Sequence, residues 1–142
     1  MKKRTATAVW TGGIKDGKGK LELGSGPFNG EYSFPSRFEE AEGTNPEELI
    51  GAAHAGCFSM ALSADLTRAG YTVDEIQTEA TVSLEKGESG HSITRIKLLT
   101  KARVKDIDMD AFSEIATGAK QNCPVSRALG AVDIYLEAHL LK

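Results

Sequence analysis

Two rhythms run along this chain, one of period two and one of helical period, and their order outlines a fold. Residues 5–10 alternate polar with small or apolar groups, and residues 20–23 read as a short return strand. Between them Thr11-Gly12-Gly13 and Lys15-Asp16-Gly17-Lys18-Gly19 are turn chemistry, so the segment predicts a hairpin. Residues 24–35 mix Gly, Pro and Asn with Phe28, Tyr32 and Phe34, which fits a loop or an edge segment. A helix starts next. Asn45 can cap, Pro46 suits the first helical position, and Glu47 and Glu48 favour the positive end of the dipole. Residues 49–64 carry no charge, with His54 counted as neutral, and Arg68-Ala69-Gly70 supplies a terminal cation and a Gly cap. Period two returns over 71–84 and 91–104, with a turn at 85–90. Thr78, Ala80, Val82 and Leu84 share one face; Ile93, Arg95, Lys97 and Leu99 share a more mixed one. Asp108 is placed to cap a second helix running to Lys120, with Met109, Phe112, Ile115, Ala116 and Ala119 at helical spacing. Pro124 opens a third, short helix, and residues 131–141 finish as a strand. Hairpins in the order β-α-β-α-β, without repeated βαβ units, predict an α+β fold.

The first long helix is small or apolar around most of its circumference, so it must be buried on most sides. Gly51, Ala52, Ala53, Ala55 and Gly56 also admit another backbone at close range. One sheet from a chain of 142 residues covers one face of such a helix. A homodimer is therefore expected, with this helix packed on its own copy across a two-fold axis. The length predicts a single domain over 1–142, and no repeat or linker is visible.

Composition excludes more than it selects. A net charge of −3 and a pI of about 5.6 leave no electrostatic footprint for nucleic acid or an anionic membrane. The uncharged run 49–64 is short for a membrane span and has acidic flanks. Met1-Lys2-Lys3-Arg4-Thr5 is basic without an apolar stretch behind it, so no secretory signal is read. Two cysteines without an export signal point to a reducing compartment, and the expectation is cytoplasmic.

The chemistry of interest lies in those cysteines. Cys57 sits in the apolar helix and Cys123 in the turn Gln121-Asn122-Cys123-Pro124, 66 positions apart (123 − 57). That spacing rules out a C-x-x-C redox motif or a metal hairpin. Two alternatives stay open: inert packing, the commoner fate of a free cysteine, and a two-cysteine redox centre that the fold brings together. In the second, a buried Cys57 would meet a Cys123 able to swing toward it. A thiolate inside a helix needs a cation, for which Arg37, Lys15, Lys18 and Lys20 are candidates; a guanidinium keeps its charge in a partly apolar pocket. Glu47 is the natural carboxylate to hold Arg37, although an acid in a first helical turn needs no further role. Ten residues of helix set Glu47 about 15 Å from Cys57 along the axis, so a shared site would draw Glu47 from an antiparallel copy. His54, three residues before Cys57, is a conceivable base but more often a satisfied core or interface group. His91 and His139 have no metal-ligand spacing to His54 or to either cysteine, and neither a metal nor a cofactor is expected.

At these residues the chain resembles a known family. Residues 43–62, Gly-Thr-Asn-Pro-Glu-Glu-Leu-Ile-Gly-Ala-Ala-His-Ala-Gly-Cys-Phe-Ser-Met-Ala-Leu, are similar to the helix of the osmotically inducible protein C branch of the OsmC/Ohr hydroperoxide reductases. Asn122-Cys123-Pro124-Val125-Ser126 resembles that family's second cysteine motif. Residues 10–19 and Ser36-Arg37-Phe38-Glu39 resemble its hairpin and arginine segment. The resemblance implies an intertwined α+β homodimer, antiparallel sheets wrapped around long central helices, with two sites at the interface. It implies a thiol-dependent peroxidase acting on organic hydroperoxides, with Cys57 peroxidatic, Cys123 resolving, and Glu47 bridged to Arg37. In the Ohr branch the arginine lies on the first hairpin, where this chain has Lys15 and Lys18, which favours the OsmC branch. The implied cycle runs through a Cys57 sulfenic acid and a Cys57–Cys123 disulfide, re-reduced by an external dithiol; a lipoylated protein is the reductant known for the family. The rivals are a Cys57–His54 hydrolase, a non-catalytic binder of apolar ligands, and a structural stress protein.

Overall fold

The computed structural model describes residues 1–26 and 28–142, and the chain forms two compact units, Met1–Leu49 and Ile50–Lys142. In the first unit, β1 (Ala6–Thr11), β2 (Lys18–Leu23) and β3 (Asn29–Tyr32) make an antiparallel sheet in the order β1-β2-β3. The expected hairpin is β1–β2, and the segment 24–35 contains the edge strand β3; Pro27, part of that segment, lies outside the described residues. Trp10 and Tyr32 both pair with Gly19, and their rings meet with centroids 5.5 Å apart. A Cβ at Gly19 would strike the Tyr32 ring, so glycine is what lets the two aromatics close over the central strand.

A short helix, α1 (Phe34–Phe38), follows where the sequence was read as the end of a loop. Ser33 caps it: the Ser36 N–H donates to Ser33 Oγ and the Ser33 N–H to Ser36 Oγ, a reciprocal box, with Pro35 in the first turn. Five residues carry too little periodicity to announce a helix, but Ser-x-x-Ser with an intervening Pro was the available signal.

The helix α2 (Pro46–Arg68) starts as expected, with Asn45 Oδ1 accepting the Glu48 N–H at 2.8 Å. It runs on into the second unit. There β4 (Val73–Gly87) and β5 (Gly90–Val104) form one long antiparallel hairpin, tighter than the predicted turn, closing through Glu88-Ser89 with Gly90 at φ +111°. After α3 (Met109–Asn122) and α4 (Pro124–Ala128), β6 (Asp133–Leu141) pairs parallel to β5. The second sheet is thus mixed, a departure from wholly antiparallel pairing. The helical crossover between β5 and β6 is what permits a parallel neighbour.

The core of this unit joins Phe58, Leu62 and Leu66 of α2, Ile96, Leu98 and Ala102 of β5, Phe112, Ala116 and Ala119 of α3, and Cys123. The face of β4 carrying Thr78, Ala80, Val82 and Leu84 is half-buried, as its alternation predicts. On β5 the expected face is wrong after Ile93: Arg95 and Lys97 are exposed, and Ile96, Leu98 and Thr100 point inward. A bulge explains this. Leu84 pairs with Ile93 and Ser83 with Arg95, so Thr94 is an extra residue that reverses the inward phase of the strand. Asp108 caps α3 by accepting the Ala111 N–H, as the sequence indicates.

Length and apolar composition alone would let α2 cross a membrane. Its stripe of His54, Phe58, Leu62 and Leu66, however, is fully buried, the pattern of a core helix in a soluble domain. Its other face, with Ala52, Ala53, Gly56, Met60 and Ala64, is exposed in the single chain, Met60 at 76%.

Candidate active site

Each unit holds one of the two pairs of candidate residues. In the first, the Arg37 guanidinium closes on Glu47: Nη2 donates to Oε1 at 2.6 Å, and Nε to both carboxylate oxygens at 3.1–3.2 Å. Polar anchors bring the two together across ten positions. The Ser36 hydroxyl donates to Thr44 O at 2.8 Å, Asn45 Nδ2 to Ser36 O, and the Thr44 N–H to Glu31 O. These tie α1 and the end of β3 to the first turn of α2. The Glu47 side chain is 10% exposed and that of Arg37 36% exposed. A carboxylate so enclosed is tolerable because a forked, charge-assisted contact replaces its water. Arg37 also lies over the Phe38 ring, 5.2 Å from its centre. It forms one wall of a cavity of about 210 Å³ whose other walls are Trp10, Ile14, Tyr32, Ser33, Phe34 and Phe38. That aromatic surround was not singled out in the sequence, since its members come from β1, β3 and α1. Lys15, in the β1–β2 turn, and Lys18 and Lys20, on β2, are exposed.

In the second unit the two cysteines meet. Both are free thiols, and Cys123 Sγ lies 2.9 Å from Cys57 Sγ. Their burial is the reverse of the sequence expectation: Cys123 is fully buried and Cys57 half-buried. The link between α3 and α4 is part of the core, whereas Cys57 lies beside the covered stripe of α2. Burial pushes the Cys57 thiol up, and the neighbouring Cys123 adds to that; the Val125 N–H offsets it only in part. Burial also pushes Cys123 up, but the Cys57 thiol, the N–H and hydroxyl of Ser126 and the Val125 N–H together hold it below the ordinary value. Of the two thiols, Cys123 is the one whose ionised form its surroundings favour.

His54 has a partner that its sequence neighbourhood could not reveal. Its Nε2 is 2.7 Å from Ser126 Oγ, 72 positions away, and both residues are buried. Burial lowers its pKa, so the ring is neutral at pH 7. His91 and His139 lie on β5 and β6, and among the described residues no cluster of three or more His, Cys, Asp or Glu converges as a metal site would require.

Two free thiols 2.9 Å apart, on an α+β scaffold, stand where a dithiol redox centre would need them. Residues 39–137 match the OsmC-like protein family. Peroxiredoxin OsmC of Escherichia coli is 52% identical over 87% of this chain and 87% of its own length. The organic hydroperoxide resistance protein OhrB of Bacillus subtilis is 32% identical over 84% of this chain and 88% of its own. The crystal structure of OhrB superposes with a TM-score of 0.75, covering 94% of this chain and 97% of that one at 31% identity. The chain belongs to the OsmC-like family, and its α+β fold is that of the OsmC and Ohr structures.

Proposed function

We propose that this protein reduces organic hydroperoxides to alcohols at a two-cysteine centre, with Cys57 as the attacking thiolate and Cys123 as the resolving thiol. It is a peroxidase of hydroperoxide stress defence, the activity named in its relatives. The observation that carries the pairing is the 2.9 Å approach of the two sulfurs, and the division of roles between them follows the family resemblance. Inert packing would have no need to bring together two thiols from elements so distant in the chain.

The cycle uses three exchanges. Cys57 thiolate attacks the outer peroxide oxygen, the O–O bond breaks, and the departing alkoxide takes a proton to become the alcohol. Cys57 is left as a sulfenic acid. Cys123 then displaces the sulfenic hydroxyl as water, forming the disulfide. An external dithiol reduces that disulfide by exchange, and a lipoylated protein would serve. The first step needs charge on Cys57, the sulfur on which this environment disfavours it. Among the described residues no cation acts on that thiol, and Arg37, held by Glu47, is the one we assign. Cys57 is ten residues beyond Glu47 on α2, about 15 Å along the axis. Arg37 and Glu47 of one protomer therefore serve Cys57 of the other in a homodimer. The exposed small-residue face of α2 supports that assembly. The whole chain, 1–142, acts as one functional domain, and a reducing cytoplasm suits a centre that must be returned to thiols.

The test is a thiol count by mass under denaturing conditions, before and after one equivalent of tert-butyl hydroperoxide without reductant. Loss of two hydrogens per chain, mapped to Cys57 and Cys123, is expected. Two untouched thiols would return both cysteines to packing and make a binder of apolar ligands the better reading.

A further inference from the structure

The buried His54–Ser126 contact has no role in the cycle above, although Ser126 stands three residues from Cys123. We propose that His54 and Ser126 form a donor chain, His54 Nε2–H to Ser126 Oγ and Ser126 O–H to Cys123 Sγ, that readies the resolving cysteine to attack the Cys57 sulfenic acid. The inference rests on the two-cysteine reading and adds two positioning residues to it.

The direction of the chain follows from what is left unpaired. His54 Nδ1 is buried without a partner. Were the ring proton there, a buried N–H would be orphaned, and such donors are rare. With the proton on Nε2, the orphan is a bare lone pair, and Nε2 donates to Ser126 Oγ at 2.7 Å. The serine hydroxyl is then free to point its own proton elsewhere. Ser126 follows Cys123 by three residues, in the first turn of α4 that Cys123 opens, and its hydroxyl is among the groups that favour the Cys123 thiolate. Cys57 is the titratable side chain that faces Cys123 directly, and His54 faces it through Ser126; among the described residues no charged group contributes. His54 also lies one turn before Cys57 on α2. The helix that will carry the sulfenic acid thus also carries the residue that orients its attacker.

The step balances without further reagents. Cys123 gives up its proton and attacks the Cys57 sulfur; the S–S bond forms and the S–O bond breaks. Hydroxide leaves with the bonding pair and takes up a proton to become water. The sulfenic sulfur is reduced and the Cys123 sulfur oxidised by the same pair of electrons.

A positioning role through thiolate stability has a signature that packing lacks. Ser126→Ala should raise the Cys123 pKa, and for each tenfold fall in the thiolate fraction below it every remaining thiolate becomes about threefold more nucleophilic. Disulfide formation should therefore be about threefold slower than wild type at low pH and about threefold faster at high pH, the two curves crossing. Rapid mixing with cumene hydroperoxide, quenched for mass analysis, separates sulfenic acid formation from disulfide formation across pH. The first phase should be unchanged in Ser126→Ala and in His54→Phe. Ser126→Thr, which keeps the hydroxyl, and His54→Gln, which keeps an N–H at the same reach, should restore the wild-type curve. Absence of the first phase in the wild-type protein would remove the two-cysteine reading itself. A normal first phase, with a second phase shifted equally at every pH or not at all, would overturn the donor chain alone. If the alanine protein does not fold, His54→Phe against His54→Gln makes the same comparison.

Discussion

The two units bury different things. Every buried hydrophobic side chain among the described residues belongs to the second, where Phe58, Leu62, Ile96, Leu98 and Phe112 are fully enclosed. The buried side chains of the first are Ser36, Thr44 and Glu47, while Val9, Ile14 and Phe38 stand exposed. One unit is built on a core and sets two sulfurs at 2.9 Å; the other is built on hydrogen bonds and sets an arginine on a carboxylate. The division has a chemical sense. Rigid packing fixes the separation of two neutral thiols, whereas an ion pair keeps one partner near water and avoids the cost of full desolvation.

That contrast can be broken most sharply at the sulfur. Cys57→Ser should reduce hydroperoxide turnover to background, because the thiolate assigned to attack the peroxide is gone; wild-type turnover in that variant would end the two-cysteine scheme. Stability should divide in the same way. Phe112→Ala should cost about 3–5 kcal/mol in denaturant unfolding, whereas Val9→Ala, on the exposed first sheet, should stay within about 0.5 kcal/mol. Equal losses would show that the first unit has an apolar core of its own in the assembled protein.

Removing the ion pair should slow the chemistry without ending it. Glu47→Gln forfeits a charge-assisted contact worth about 1.5–3 kcal/mol, so peroxide reduction should fall by roughly 10–100-fold at neutral pH. The sign of the pH effect follows from Cys57, whose thiol the second unit pushes up. With Arg37 loosened, less of Cys57 is ionised, and the rate should begin its rise at higher pH than in wild type. A profile unmoved by the substitution would detach the ion pair from the thiol.

The smallest effect concerns His54. Its pKa is lowered in the folded state, so the unfolded chain binds the extra proton first, and stability should decline as pH falls below the ordinary histidine value of about 6.5. His54→Gln should flatten that part of the stability curve between about pH 7 and 5, a difference visible in thermal melts.

Much of the fold was legible in order and caps. Asn45, Pro46 and Asp108 announced two helices because capping chemistry is local. The β4 face could be read because its alternation is unbroken, and β5 could not be read past Ile93 because Thr94 inserts a residue and reverses the phase. The helix α1 was missed because five residues carry no period. Cys57, Cys123, Arg37 and Glu47 were each recognisable by type and motif, yet which cysteine is the more enclosed came out reversed. Burial depends on what else packs there, and no neighbour in sequence reports it.

The sequence by itself determined the family, the α+β order of elements, the apolar helix and the residue types the chemistry requires, since these rest on short-range patterns. Tertiary structure alone decided that Cys57 meets Cys123, that Arg37 closes on Glu47 and that His54 finds Ser126. Each is a contact between residues separated by ten to 72 positions, settled by how strands and helices pack rather than by any local preference.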